Sequence, residues 1–330
     1  MGYMDKALTI VDVLRARDLL KQYLPATPLW SYPALDELAG ARVHVKHENV
    51  QPVGAFKVRG GLTLLAGLSP AQRSRGVVTY STGNHAQSIA YASRVFGNPC
   101  VVVMPEHANE VKVRATEGLG ATVLLHGADL SGAAAYAASL ARIDGMRLIT
   151  ASEEAALIAG VGTLYLETLE AAGDLDVILV PVGSGTGAAA ACLVAAALAP
   201  NCQVIGVQSA ASPAAHDSWR AGHCVERPNR TIAEGLATGR GCELPQRMLR
   251  AGLADFLLVS DEQIRAAQRV LASRAHTLAE GAGAASLAGL LAHPERFAGQ
   301  RVAVICTGAN AAQVEIAALA ESTAPVLTRV

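Results

Sequence analysis

The chain has 330 residues, of which 51% are hydrophobic and 17% are charged, and its formal net charge is −1. This length suggests about two domains, and the high apolar content excludes a disordered chain. The balanced charge lacks the basic surface that attracts nucleic acid or an anionic membrane, so we expect neither as a partner.

Six cysteines lie far apart, with no CxxC pair and no metal-type spacing. This pattern predicts free thiols in a reducing compartment. The N-terminal segment carries acids and lacks a long apolar run, so we expect no signal peptide. The longest apolar stretch, 187–199, is far short of the about 20 residues of a membrane span. We therefore expect a cytoplasmic protein.

Short β-branched runs alternate with longer Ala- and Leu-rich segments at helical period, which predicts an α/β fold with parallel sheets. The predicted strands, in chain order, are 41–48, 76–81, 100–105, 121–127, 146–151, 176–182, 202–208 and 301–308. Helical patterns stand out at 85–97, 109–120 and 163–173. Residues 75–150 hold four tight strand–helix alternations and are predicted to form a small mobile domain. Residues 1–74 and 151–330 are then expected to form one larger, discontinuous domain.

The first segment that suggests chemistry is VGAFKVRGG (53–61), which places Lys57 in an apolar, glycine-flanked stretch. A lysine amine is a useful nucleophile only when its pKa of about 10.4 is lowered by burial or by positive neighbours. Phe56 and Val58 offer burial, and Arg59 offers positive charge. An ordinary surface lysine at the start of a helix is the alternative.

The second segment, STGNHAQSIA (81–90), directly follows a predicted strand. Small polar residues at the start of a helix expose backbone N–H groups that suit an anion such as a carboxylate. Side-chain capping of the helix by Ser81, Thr82 or Asn84 is the alternative, and the two are compatible.

The third segment, PVGSGTGAAAA (181–191), combines a strand end, a glycine loop and an alanine-rich helix. Such a loop can wrap a phosphate at a helix N-terminus. It lacks the ending of a nucleotide triphosphate loop, Ala188 replaces the third glycine of a dinucleotide fingerprint, and Gln208 stands where that fingerprint has an acid. Phosphate binding is therefore favoured over dinucleotide binding. The last segment, CTGAN (306–310), is by itself typical of a turn.

In this order along the chain, the four segments resemble the fold-type II pyridoxal-phosphate enzymes, and within them the serine/threonine dehydratase and serine racemase group. The resemblance runs from TPL (27–29) to the region of Asn310, and EGLATG (234–239) and EGAGAA (280–285) resemble family segments near the substrate pocket. It implies two parallel-sheet domains with pyridoxal 5′-phosphate in the cleft between them. It also implies a homo-oligomer.

The resemblance also assigns roles to individual residues. Lys57 is expected to form the Schiff base with the cofactor and to remove the substrate α-proton, with Thr82 as a second catalytic candidate. The remaining assignments are Phe56 beside the ring, Asn84 at the ring 3′-oxygen, Thr307 facing the pyridine nitrogen, Ser81, Thr82, Gly83 and His85 at the substrate carboxylate, and Gly183, Ser184, Gly185 and Thr186 around the phosphate.

A neutral hydroxyl at Thr307 does not keep the pyridine nitrogen protonated, which favours β-elimination over transamination. The implied function is conversion of a small 3-hydroxyamino acid, L-threonine or L-serine, to a 2-oxo acid and ammonia. Gln208 replaces a family glutamate and the acid expected near Ala214 is absent, so we expect no metal. Thr82 replaces a serine that racemases use, which argues against racemisation. Few residues follow Asn310, so we expect no regulatory domain there and favour a catabolic role.

Several alternatives remain open. Val161, Glu153 and Glu154 depart from the usual family sequence and leave the substrate open. A dehydratase of a bulkier 3-hydroxyamino acid, such as phenylserine or 3-hydroxyaspartate, is one alternative. A β-replacement enzyme is a rival, although TGAN and EGLATG fit the dehydratases better. A catalytically silent binding protein would not need Lys57, and a nicotinamide oxidoreductase would need the missing fingerprint.

Overall fold

The structure is a computed structural model that describes residues 8–321. In this range the strands are β1 (Leu29–Ser31), β2 (Arg42–His47), β3 (Val77–Tyr80), β4 (Cys100–Met104), β5 (Thr122–Leu125), β6 (Arg147–Ile149), β7 (Val177–Pro181), β8 (Gln203–Ser209), β9 (Asp255–Val259) and β10 (Arg301–Cys306). The first eight helices are α1 (Ile10–Leu20), α2 (Pro33–Ala39), α3 (Lys57–Ala66), α4 (Pro70–Arg75), α5 (Asn84–Phe96), α6 (Glu110–Gly118), α7 (Leu130–Asp144) and α8 (Ala155–Ala172). The others are α9 (Thr186–Leu198), α10 (Ala214–Ala221), α11 (Glu243–Gly252), α12 (Asp261–Arg274), α13 (Gly281–Ala292), α14 (Pro294–Phe297) and α15 (Gln313–Glu321).

Six strands form the larger sheet, in the order β1-β2-β10-β7-β8-β9. All neighbours pair in parallel except β1, which runs antiparallel to β2 at the edge. Every residue of β7 is buried, as expected for a central parallel strand covered by helices on both faces. One face packs against α2, α12 and α13, and the other packs against α8, α9 and α11.

The smaller sheet has four parallel strands in the order β5-β4-β3-β6. All four lie within residues 75–150, the range predicted for the small domain. One hydrophobic cluster nevertheless joins this sheet to α3, through buried residues such as Leu62 and Leu65 beside Val77 and Ile89. The helix that begins at Lys57 therefore packs with the smaller sheet, and the mobility of the 75–150 segment stays a prediction.

All eight predicted strands are present, with ends shifted by at most two residues. Two strands were not predicted: β1, which has only three residues and is largely exposed, and β9, a five-residue strand between two helices. The helix α8 begins earlier than the predicted helical pattern at 163–173, because Gly160 and Gly162 lower the helical propensity of its first half. A Cβ at Gly160 would overlap the carbonyl oxygen of Arg59, and one at Gly162 would lie 2.8 Å from Val13. These glycines allow α8 to pack closely on α3 and α1.

Among the described residues, α8 is the one helix long and apolar enough to cross a membrane by length and composition. Its best window is 61% buried inside the protein. Core helices pass the same test, so packing against α1, α3 and α9 accounts for its apolar character.

Candidate active site

The predicted site residues meet at one edge of the larger sheet. The strands β2, β10 and β7 are parallel neighbours, so their carboxyl ends lie side by side. The chain leaves β2 toward Lys57, β10 toward Thr307 and β7 toward the glycine loop at 183–186. Ligands of open α/β sheets bind at such an edge.

Lys57 is the first residue of α3, and it is held from two sides. Its Nζ donates to Oγ1 of Thr186 at 2.8 Å, and its carbonyl oxygen accepts from Oγ of Ser88 in α5 at 2.6 Å. The amine lies 5.1 Å from the centre of the Phe56 ring. Burial lowers the pKa of Lys57 to about 8, against a small opposing effect of Cys242. A substantial fraction of the amine is therefore neutral near physiological pH.

A buried network of charges fixes the helix that carries Lys57. Arg59 donates to both carboxylate oxygens of Glu48 at 2.8 Å and to Glu167 at 2.7 and 2.8 Å, and Lys46 donates to Glu167 at 2.6 Å. Burial alone would raise the pKa of Glu48, but Arg59 lowers it below its ordinary value. Arg59 is thus turned toward these carboxylates, and burial rather than its positive charge lowers the pKa of Lys57.

The glycine loop at the start of α9 has the shape of a phosphate cradle. Gly185 adopts a positive φ of 97°, and a Cβ at Gly183 would overlap the carbonyl oxygen of Gly235. No side chain caps α9, so the N–H groups of the first turn lack an intrahelical partner. Free N–H groups at a helix N-terminus suit a phosphate. Gly183, Ser184, Gly185 and Thr186 therefore fit the phosphate of pyridoxal 5′-phosphate.

The 81–85 loop lies at the start of α5, at the carboxyl end of β3. Its N-cap residue is Gly83 and no side chain caps the helix, so capping by Ser81, Thr82 or Asn84 is wrong. Oγ of Ser81 instead accepts from the N–H of Gly83 at 3.2 Å. A Cβ at Gly83 would meet open space within 4 Å, so the loop has room for a guest. The carboxylate contacts of Ser81, Thr82 and Gly83 remain predictions.

His85 is buried behind this loop. Its Nε2 lies 3.0 Å from Oγ1 of Thr79, whose hydroxyl donates to the carbonyl oxygen of Ile149 at 2.8 Å. Because that hydroxyl hydrogen is used, Nε2 must donate to Thr79. Burial, with the charge of Lys57 second, lowers the pKa of His85 to about 3. This geometry gives His85 a supporting place, and its predicted contact with the substrate carboxylate is untested.

Thr307, Phe56 and Asn84 close the site around Lys57. The carbonyl oxygen of Thr307 accepts from the N–H of Phe56 at 3.0 Å, and Thr307 is buried. The Phe56 ring lies 3.5 Å from the position of a Cβ at Gly187, the second residue of α9. Asn84 is hydrogen-bonded to Glu280 and Asn310.

Two residues of the site were not predicted from sequence. Cys242 is the N-cap residue of α11, near enough to Lys57 for each to affect the pKa of the other, and no motif marks it. Glu280 accepts from Asn84 at 2.7 Å. It lies in EGAGAA (280–285), which resembled the family without pointing to this residue.

Gln208 occupies the position where a metal-binding glutamate was considered. Its Oε1 accepts from the N–H of His216 at 2.9 Å, and its Nε2 donates to Oγ1 of Thr238 at 3.5 Å. Within residues 8–321, no group of three or more His, Cys, Asp or Glu side chains could hold a metal ion. The expected absence of a metal stays a prediction.

Comparisons with known proteins agree with this geometry. A family model described as pyridoxal-phosphate dependent enzyme matches residues 20–308. The chain belongs to that family. The L-threo-3-hydroxyaspartate ammonia-lyase of Saccharomyces cerevisiae is 35% identical over 303 residues, which cover 92% of this chain and 93% of that protein. The L-threonine ammonia-lyase of Thermotoga maritima is 34% identical over 304 residues, which cover 92% of this chain and 76% of that protein.

Among solved structures, serine racemase from Dictyostelium discoideum matches with a TM-score of 0.87 and 32% identity. The match covers 92% of this chain and 99% of that one. The predicted family, the fold with two parallel sheets and the cofactor pyridoxal 5′-phosphate are thereby confirmed.

Proposed function

We propose that the protein is an ammonia-lyase that converts a 3-hydroxyamino acid, L-threonine or L-serine, to a 2-oxo acid and ammonia. The observation that carries this proposal is the place of Lys57. Its amine donates a hydrogen bond to Thr186 at the start of α9, and its carbonyl oxygen accepts one from Ser88 of α5. The lysine therefore lies between two helices whose N-termini can each receive an anion.

When bound, pyridoxal phosphate supplies an electron sink for the carbanion formed at the substrate α-carbon. The residues of the chain bind, orient and move protons. The free N–H groups of α9 and of the 183–186 loop would hold the phosphate, and those of α5 would receive the substrate carboxylate. With its pKa lowered to about 8, Lys57 is suited to take the α-proton near neutral pH.

Elimination removes this proton and the β-hydroxyl group, so water leaves and an enamine remains. Hydrolysis of the enamine takes up one water, which balances the reaction as hydroxyamino acid to 2-oxo acid and ammonia. The hydroxyl of Thr307, at the end of β10, supports elimination. Unlike a carboxylate, this hydroxyl would give the pyridine nitrogen of the cofactor no negative partner to keep it protonated.

The charges near Cys242 favour a substrate with a neutral side chain. Glu153 and Arg240 both act on the pKa of the Cys242 thiol, whose largest shift comes from burial. Both side chains are exposed. Arg240 lies 3.6 Å from Glu226 in an ion pair, whereas the carboxylate of Glu153 accepts from the N–H of Leu244 at 3.3 Å. An acid beside the cleft repels a second substrate carboxylate.

A second candidate substrate is 3-hydroxyaspartate. The yeast relative is named for it, and Arg240 would be the cation that receives its second carboxylate if the ion pair with Glu226 opens. Phenylserine stays an alternative, but no contact among the described residues supports it.

The deciding experiment measures 2-oxo-acid formation from serine, threonine, phenylserine and 3-hydroxyaspartate. We expect threonine or serine to have the highest kcat/KM. Glu153→Gln should raise kcat/KM for 3-hydroxyaspartate relative to threonine, whereas Arg240→Gln should leave the threonine value unchanged. Lys57→Ala should lose both the visible absorption of the bound cofactor and all turnover. A purified protein that forms no 2-oxo acid from any of the four would refute the proposal.

We further propose a cytoplasmic homo-oligomer without a metal, nucleic acid or membrane partner. The six free cysteines support the cytoplasmic location, the balanced charge argues against nucleic acid and membrane partners, and the family resemblance supports the homo-oligomer. Sedimentation in the presence and absence of lipid vesicles and DNA tests it. A monomer, or co-sedimentation with either additive, contradicts it.

A further inference from the structure

Three side chains form a continuous hydrogen-bonded chain beside Thr307. Nδ2 of Asn310 donates to the carbonyl oxygen of Val53 at 2.8 Å and to Oδ1 of Asn84 at 2.7 Å. Nδ2 of Asn84 donates in turn to Oε1 of Glu280 at 2.7 Å. Glu280 and Asn310 flank elements of the larger sheet, whereas Asn84 begins α5 beside the smaller sheet, so the chain joins the two.

The carbonyl group of Val53 sets the donor-to-acceptor direction of this row of hydrogen bonds. A carbonyl oxygen only accepts, so the Asn310 atom that faces it is the amide nitrogen. The second hydrogen of this nitrogen points to Asn84, and the Asn84 atom that receives it is therefore Oδ1. The amide nitrogen of Asn84 must then face Glu280. The hydrogen-bond partners thus fix which atom of each amide is the oxygen and which is the nitrogen.

One hydrogen of the Asn84 amide remains after the bond to Glu280, because a side-chain amide carries two. Among residues 8–321, Glu280 is the one acceptor bonded to this nitrogen. Gly308 leaves the space beside it free. A Cβ at Gly308 would overlap Oε1 of Glu280 and lie 3.3 Å from Nδ2 of Asn84.

We propose that Glu280 and Asn310 are positioning residues, which hold the remaining N–H of Asn84 toward the 3′-oxygen of pyridoxal phosphate. The inference rests on the proposed function, because it requires the cofactor in this cleft. An ionised ring oxygen is a strong acceptor, and a donor that is already oriented needs no rearrangement when the oxygen arrives. Glu280 and Asn310 act through Asn84 and not on the cofactor itself.

The surroundings of Glu280 indicate which substitution preserves the chain. Glu280 is 9% exposed, and burial raises its pKa to about 7. Glu280 interacts electrostatically with four titratable groups. Glu315, Lys112 and Glu234 influence the pKa of Glu280, and Glu280 raises the pKa of Cys306. A neutral acid still accepts through its carbonyl oxygen, and so does the amide oxygen of glutamine. Glu280→Gln should therefore keep Asn84 in place, whereas Glu280→Leu removes the acceptor.

The test compares Glu280→Gln, Glu280→Leu, Asn310→Ala and Asn84→Ala with the parent protein. Glu295→Leu, on the exposed surface of α14, is the control for loss of a carboxylate. The readouts are the dissociation constant of pyridoxal phosphate and the pH midpoint of its visible absorption when bound. Glu280→Leu and Asn310→Ala should bind the cofactor about tenfold more weakly, the effect of one hydrogen bond to a charged acceptor. They should also shift the midpoint, while Glu280→Gln and Glu295→Leu match the parent.

The double variant Asn84→Ala with Glu280→Leu should bind the cofactor no more weakly than Asn84→Ala alone, because Glu280 acts only through Asn84. Additive losses overturn the proposal. So does a Glu280→Leu protein with parental binding and midpoint but lower thermal stability, since that outcome assigns Glu280 a merely structural role.

If Glu280→Leu does not fold, Asn310→Ala provides the same test from the other end of the chain, and parental binding there also overturns the inference. If the parent protein binds the cofactor and is active, and these variants match it, the positioning role is overturned while the proposed function stands. A parent that takes up no cofactor overturns both.

Discussion

The lowered pKa of Lys57 predicts how fast the protein takes up its cofactor. Only a neutral amine can attack the aldehyde of pyridoxal phosphate. With a pKa of about 8, about a tenth of the Lys57 amine is neutral at pH 7. An exposed lysine with the ordinary pKa of about 10.4 would be neutral roughly 200-fold less often at that pH. We therefore expect rapid uptake at neutral pH, with a midpoint near pH 8.

The assay mixes the cofactor-free protein with pyridoxal phosphate at pH values from 6 to 10.5 and follows visible absorbance. N-acetyl-lysine amide, measured in the same buffers, corrects for ionisation of the cofactor itself. Thr186→Val provides the perturbation, because Oγ1 of Thr186 accepts from Nζ at 2.8 Å and so favours the charged amine. Its removal should move the midpoint to lower pH. A midpoint at or above pH 10, or uptake independent of pH between 6 and 9, would refute the argument from burial.

Three further predictions concern reaction choice, metal and stability. Thr307→Asp should retain the cofactor but eliminate more slowly and form some transamination product, because a carboxylate stabilises the protonated ring. Thr307→Ser keeps the hydroxyl and should match the parent. Equal elimination rates for the Asp variant and the parent would show that Thr307 is only a turn residue. EDTA should change the turnover rate by no more than about twofold. Hard cations need oxygen ligands, and the amide of Gln208 is already hydrogen-bonded to His216 and Thr238. A large loss of activity that magnesium restores contradicts this prediction. Arg59→Met leaves the buried carboxylate of Glu48 without its main partner and should cost about 3–5 kcal/mol in urea unfolding; a cost below about 1 kcal/mol contradicts the importance of the network. Because Arg59 holds the pKa of Glu48 below its ordinary value despite burial, this stabilisation should be present above about pH 4.3 and be lost as the pH falls further.

Much of the fold could be predicted because buried parallel strands are continuous apolar runs. The sequence DVILVPV predicts a central strand, and β7 is buried at every residue. The missed strand β1 has no such pattern, because it is an exposed edge strand that pairs with β2 on one side. Pairing with a distant segment, rather than local sequence, makes it a strand.

The site shows the same division between local and distant causes. The glycine loop at 183–186 is recognisable because the close approach of Gly235 and a positive φ at Gly185 require glycine. The contacts of Glu280 could not be predicted, because its partner Asn84 is 196 residues away. The pairing of Arg59 with Glu167 could not be predicted for a similar reason, since Glu167 lies 108 residues along the chain.

The two sheets share the work of the site unequally. Lys57, the 183–186 loop and Thr307 follow strands of the larger sheet, whereas the 81–85 loop follows β3 of the smaller one. In the proposed function, attachment of the cofactor and binding of the substrate carboxylate therefore depend largely on different stretches of sequence. Substitutions in the loop after β3 are therefore expected to change the binding of the carboxylate that all amino acids share, while the attachment of pyridoxal phosphate is conserved. Asn84 is the exception, because it begins the helix of the smaller sheet and is tied to both stretches.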